Sequence, residues 1–302
     1  MPAMSIKEFC KQRYLKHFNS TYATIAEDKM SRGAKSLSAA AEISAIREAQ
    51  KAAIRNSLKE AVDEYASPEN VALIWQSVYN AHLMHRIGEI PPTGLNEDIV
   101  EIIISASQSW KKSSGHAFEA FIAENVSAQL NAGSEPIRFL LQKEVTELIR
   151  DGELHNPAND LEWIRQKIDK DVFDLFAIVE FNHKNFLFGC IQAKTSIRDR
   201  VSRDREPSID AMDNHFWSIA VVLDGTYLAM PKFIEMVNGG GNDYVKNGWH
   251  GMYVMSDTDS FGRIYGSDYK LDLLTTHASK AAQFWMSGRP WIDAGWSIEK
   301  LQ

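Results

Sequence analysis

Two apolar runs set a short turn apart constrain this chain more than any other feature. They are Val172-Phe173-Asp174-Leu175-Phe176-Ala177-Ile178-Val179 and Asn185 through Ala193, joined by Asn182-His183-Lys184. Their length and their β-branched and aromatic content read as two strands of a hairpin. The second run continues into Gln192-Ala193-Lys194-Thr195-Ser196-Ile197-Arg198-Asp199-Arg200. A lysine ending a buried strand is costly unless a carboxylate or phosphate lies near it. Arg198 and Arg200 follow, then Arg203 and Arg205, interleaved with Asp199 and Asp204. Guanidinium forks so close to that lysine suit an anionic, base-bearing ligand, which points to DNA.

The rest of the chain supplies the frame. With 302 residues, 44% of them hydrophobic, it can bury a large core as one domain or one plus a smaller one. No run of about 18 apolar residues is present, so no membrane span is expected. Met1-Pro2-Ala3-Met4-Ser5-Ile6-Lys7 lacks the apolar stretch of a signal peptide. Cys10 and Cys190 read as buried thiols of a reducing compartment, so a cytoplasmic location is expected. A net charge of -7 argues against a protein that coats nucleic acid without selection, yet leaves room for a local basic cleft.

Residues 5–87 have helical character. Ser38 through Tyr65 lacks Pro and Gly, and Ile43, Ile46, Ile54, Leu58 and Val62 recur at roughly helical spacing. Ser67-Pro68-Glu69 looks like a capped start of the next helix. Ile90-Pro91-Pro92-Thr93-Gly94 breaks the pattern and divides a helical region, 1–90, from a second domain, 91–302. Within that second domain a helix starts at Asn96-Glu97. A Ser-Trp-Lys-Lys-Ser-Ser-Gly loop then leads to a helix over 116–130. Phe216 through Leu223 and Gly251 through Met255 read as further strands, and Gly239-Gly240-Gly241 as a loop. Helices first and strands later imply an α/β or α+β architecture, a mixed sheet flanked by helices.

Pairing of the two strands brings Asp174 toward Lys194. An aspartate and a lysine on adjacent strands are the minimal set for metal-assisted phosphodiester hydrolysis. The carboxylate offers a hard oxygen to Mg²⁺, and the lysine orients or deprotonates a water and steadies negative charge. Taken alone, the pair reads more readily as an ordinary strand-edge salt bridge.

In its surroundings the pair resembles the type II restriction endonucleases of the PD-(D/E)XK superfamily. Gly115-His116-Ala117-Phe118-Glu119 is similar to the family's early helix with its glutamate, Asp174 stands at the metal-binding aspartate, and Lys194 at the catalytic lysine. Arg198-Asp199-Arg200 resembles the recognition element of the branch that cuts CCGG or CCNGG sites. Asn247-Gly248-Trp249-His250-Gly251-Met252-Tyr253-Val254 resembles the BsaWI-type enzymes in particular. The resemblance implies a homodimer or higher oligomer that cleaves double-stranded DNA with Mg²⁺ at a palindromic site, leaving 5′-phosphates. It also implies a cytoplasmic, prokaryotic setting, with a cognate methyltransferase that acts on the same site without binding the enzyme.

Two departures stand out. The acid two residues before the lysine is Gln192, and Phe173 replaces the proline before the aspartate. The branch supplies its second acid from a helix after the lysine, which nominates Glu206, with Asp210 as the alternative. Pro207 suggests that Glu206 sits at a helix start. Arg198 and Arg200 can each donate twice to guanine, and Asp199 can accept from cytosine. Arg203 and Arg205 are phosphate contacts or surface charges. Glu119 reads as a catalytic helix-face carboxylate that holds a second metal or bonds to the lysine's surroundings, or as a plain surface glutamate. His250 reads better as a packed structural histidine than as a base. A repair nuclease with the same core and a non-catalytic DNA-binding regulator are the competing functions.

Overall fold

The computed structural model describes residues 4–31, 37–65, 68–88, 97–131, 136–195, 201–256, 258–266, 271–288 and 292–298. The chain forms two compact units, Met1–Phe118 and Glu119–Gln302. The boundary expected at Ile90-Pro91-Pro92-Thr93-Gly94 lies outside the described residues.

The first unit is helical. It holds α1 (Ile6–Ser31), α2 (Ala39–Tyr65), α3 (Pro68–Ile87) and the first part of α4 (Glu97–Leu130). α2 buries a stripe of Ala45, Ala49, Ala53, Ile54, Leu58, Ala61 and Val62 at helical spacing. Ile43, which the spacing adds to that stripe, is instead 52% exposed. Polar contacts fix the packing: Tyr14 bonds through its hydroxyl to His82 Nδ1 at 2.8 Å, and Glu60 accepts from Arg13 and His17. The loop expected over 109–115 is helix, because α4 runs straight through it. Trp110 packs on Tyr79 at 5.0 Å and Ser114 is buried, so packing outweighs the weak helix propensity of Ser and Gly.

The second unit is built on a six-stranded mixed sheet in chain order: β1 (Ile137–Leu141), β2 (Leu175–Phe181), β3 (Lys184–Lys194), β4 (Trp217–Val222), β5 (Gly251–Val254) and β6 (Ile264–Tyr265). β1, β2 and β3 pair antiparallel, and β3 through β6 pair parallel. All four anticipated strands form; β1 and β6, the added ones, are short. The helices of this unit are the end of α4, α5 (Gln142–Arg150), α6 (Ala158–Asp169), α7 (Val201–Asp213), α8 (Pro231–Asn238) and α9 (Asp272–Gly288). One core cluster gathers Val145, Ile164, Phe176, Ile178, Cys190, Ala211 and Phe216. A second gathers Val222, Met236, Trp249, Met252 and Val254. Cys10 and Cys190 are buried free thiols. Among the described residues no helix is long and apolar enough to cross a membrane.

α7 corrects the expectation about Pro207. The helix starts at Val201, and the proline sits inside it rather than in its first turn. The carbonyl of Arg203 therefore lacks its usual helical donor, since proline has no N–H.

Candidate active site

The hairpin positions the central pair. Leu175 pairs with Ile191 in the antiparallel register, which sets Asp174, one residue before β2, beside the end of β3. The Asp174 amide donates to the Ile191 carbonyl at 3.0 Å. Asp174 Oδ2 accepts two hydrogen bonds, from the Ala193 amide at 2.7 Å and from Lys194 Nζ at 2.9 Å. Both side chains keep about a fifth of their surface exposed, at 23% and 21%.

The second acid beside Lys194 is Asp204, with Oδ2 at 3.8 Å from Nζ. Asp204, Ser208 and Ala211 lie on one face of α7, spaced by four and three residues. Ser208 fastens that face to the sheet through the Ser218 hydroxyl at 2.7 Å, and Ala211 is buried. Neither nominated acid joins the pair. Glu206 lies about 200° around the helix from Asp204 and Asp210 about 240°. Glu206 is 77% exposed beside Arg205. Asp210 is held by Lys167 and by the Trp163 indole N–H. Asp204 escaped the sequence reading because it looked like one more alternating charge. Its signal was the spacing to Ser208 and Ala211.

The remaining site residues separate cleanly. Glu119, at the head of the second unit's part of α4, is close enough to act electrostatically on Asp174. Arg203 is exposed. Arg205 is not a surface charge. It is buried, donating to the Met236 carbonyl at 3.2 Å and to the Lys246 carbonyl, with its guanidinium 5.0 Å from the Tyr244 ring. Arg198, Asp199 and Arg200 lie outside the described residues, directly before α7. Gln192 is buried, with both ends of its neutral amide hydrogen-bonded. His250 is structural: its Nδ1 accepts from the Ser218 amide and its Nε2 faces the Asp293 carbonyl. Burial pushes its pKa down to about 3, which keeps the ring neutral.

Burial, the largest influence, raises the Asp174 pKa; Lys194 and the Ala193 amide pull it back, and Glu119 pushes it up again. Asp174 and Asp204 flank Lys194, and Glu119 acts electrostatically on Asp174, so three carboxylates bear on this partly buried pair. Among the described residues no three His, Cys, Asp or Glu side chains gather tightly enough to hold a metal by themselves. Two carboxylates of hard oxygens are the number that Mg²⁺ takes beside water and phosphate, so the residues fit that ion.

A sheet whose hairpin presents an Asp–Lys pair, with a third residue from the following helix, has the form of a metal-assisted nuclease. Residues 158–291 match the family model described as BsaWI restriction endonuclease type 2. The crystal structure of the pre-specific restriction endonuclease BsaWI–DNA complex is 42% identical, over 98% of this chain and 99% of that one, with a TM-score of 0.65. The specific restriction endonuclease AgeI–DNA complex shares the fold, with 17% identity over 90% of this chain and 91% of that one and a TM-score of 0.56. No curated protein matches. The chain belongs to the BsaWI family of type II restriction endonucleases, and it is a type II site-specific deoxyribonuclease.

Proposed function

We propose that this enzyme hydrolyses double-stranded DNA with Mg²⁺ at a palindromic site with a CCGG or CCNGG core. The observation that carries the reading is the 2.9 Å Asp174–Lys194 pair with Asp204 at 3.8 Å. Asp174 and Asp204 hold the ion, with Glu119 as an outer carboxylate. Bound there, Mg²⁺ supplies positive charge at the scissile phosphate and a more acidic water. Lys194 orients that water and steadies the developing charge. Water adds to phosphorus and the bond to the 3′ oxygen breaks, leaving a 5′-phosphate and a 3′-hydroxyl.

Arg198, Asp199 and Arg200 read the G·C core from the major groove, and Arg203 contacts phosphate. Two-fold symmetry of the site calls for a homodimer. The N-terminal helical region, residues 1–90 of the expected division, serves assembly and affinity, since its described residues form helices and no acid–lysine pair on adjacent strands. Membership of the family favours this reading over a repair nuclease or a non-catalytic regulator.

Plasmid DNA incubated with the purified protein and Mg²⁺ tests it directly. Sharp fragments whose sequenced ends carry 5′-phosphates at a CCGG or CCNGG core are expected. Each bidentate arginine–guanine contact is worth about 1–3 kcal/mol, so Arg198→Ala or Arg200→Ala should weaken specific binding roughly ten- to a hundred-fold. Cleavage mapped to a site without adjacent C·G pairs would overturn the assigned recognition element and leave the nuclease centre intact.

A further inference from the structure

We infer that Gln192, clamped by Trp249, is a positioning residue that sets Asp204 against Lys194 for metal binding. The inference rests on the metal site proposed above. Gln192 occupies the place where the common motif has an acid, and it is 1% exposed. Its Oε1 accepts from the Trp249 indole N–H at 2.8 Å, and its Nε2 donates to the backbone carbonyl of Asp204 at 2.9 Å. An indole N–H can only donate, which fixes the orientation of the amide. A glutamate here could still accept from Trp249. It would then turn a lone pair on the Asp204 carbonyl and add negative charge beside Asp174 and Asp204. Only an amide serves both partners.

A second tie runs through the neighbouring residue. Arg205 is held under α8 and the following loop by the carbonyls of Met236 and Lys246. Gly248 permits this close approach, since a Cβ there would meet the Met236 oxygen at 2.5 Å and Arg205 Cγ at 3.1 Å. α7 needs such external ties, because Pro207 removes a hydrogen bond from the turn that carries Asp204. The Asn247-Gly248-Trp249 segment thereby gains a role: it anchors the helix that brings the second acid.

The test compares Trp249→Phe, which keeps a ring and removes the N–H donor, with Gln192→Met and Gln192→Glu, all in the full chain. Mn²⁺ binding is read by electron paramagnetic resonance of the free ion, and plasmid cleavage is titrated with Mg²⁺. Outer residues that orient metal ligands typically change affinity ten- to a hundred-fold. Trp249→Phe and Gln192→Met should therefore weaken Mn²⁺ binding about ten-fold or more. The Mg²⁺ needed for half-maximal cleavage should rise by a similar factor, while the rate at saturating Mg²⁺ falls less than about three-fold. Gln192→Glu should not restore wild-type behaviour. Mn²⁺ affinity and Mg²⁺ midpoint within two-fold of wild type in Trp249→Phe would overturn the inference, and that variant decides alone if Gln192→Met does not fold. Asp204→Ala separates the levels. If it binds Mn²⁺ like wild type, the metal-site reading fails; if it loses Mn²⁺ while Trp249→Phe does not, only the positioning role fails.

Discussion

On the proposed reading, the Asp174–Lys194 pair has two effects that mutation can separate, one on the chemistry at the scissile phosphate and one on DNA affinity. Asp174→Ala and Lys194→Ala should each abolish cleavage yet leave specific binding largely intact, as gel shifts in metal-free buffer would report. In that buffer Asp174→Ala removes a charge that repels phosphate, so tighter binding is expected. A Lys194→Ala enzyme cutting within a few-fold of wild type would refute its role. Three acids of α7, Asp204, Glu206 and Asp210, should then behave in three ways. Asp204→Ala should lose at least about a hundred-fold in cleavage rate, in line with removal of a metal-site group. Exposed Glu206→Ala should stay within a few-fold of wild type. Asp210→Ala should keep its metal dependence but lose stability by about 1 kcal/mol, since it gives up Lys167 and Trp163. The pair was legible in the sequence because one hairpin joins its two strands. The second acid, Asp204, was not, because its direction depends on where α7 begins. Pro207 suggested a start near Glu206, whereas the helix already begins at Val201 and turns Asp204 to the sheet.

Elements were legible where local chemistry and packing agree. The β2–β3 turn is the clearest case, because Asn182 and His183 both have left-handed backbone, with φ of 51° and 60°. Turns of this kind match the twist of the strands and favour glycine at the second position. His183 carries a Cβ that this conformation disfavours, and its side chain is fully exposed. His183→Gly should therefore stabilise the hairpin by a few tenths to about 1 kcal/mol, without effect on cleavage. His183→Val should destabilise it, and thermal melts of the two variants should move in opposite directions. The segment over 109–115 shows the reverse situation. Its serines and glycine signal a loop, and packing such as that of Trp110 on Tyr79, more than 30 positions earlier in the chain, keeps it helical.

For the molecule as a whole, three buried histidines set its response to acid. Burial lowers the pKa of His250 to about 3, and of His82 and His277 to about 4, from an ordinary 6.5. His82 belongs to the helical unit and the other two to the sheet unit, so both are affected. Each ring is held as the neutral form: Tyr14 bonds His82, Tyr253 bonds His277, and backbone groups of Ser218 and Asp293 face His250. Between pH 6.5 and about 4 the unfolded chain binds protons at these positions and the folded chain does not. Stability therefore rises with pH across that window and is lost as pH falls through it. Asp174, with its carboxyl pKa raised by burial, acts in the opposite sense across the carboxylate range. Each depressed histidine contributes up to about 1.4 kcal/mol per pH unit within its window. Tm should hold above pH 7 and fall steeply from about 6.5 toward 4. His250→Gln keeps an acceptor for the Ser218 amide and a donor for the Asp293 carbonyl but cannot take up a proton. It should flatten that slope while leaving Tm at pH 7.5 little changed. A wild-type Tm that stays level from pH 7 to 4.5 would show that these rings do not govern acid unfolding.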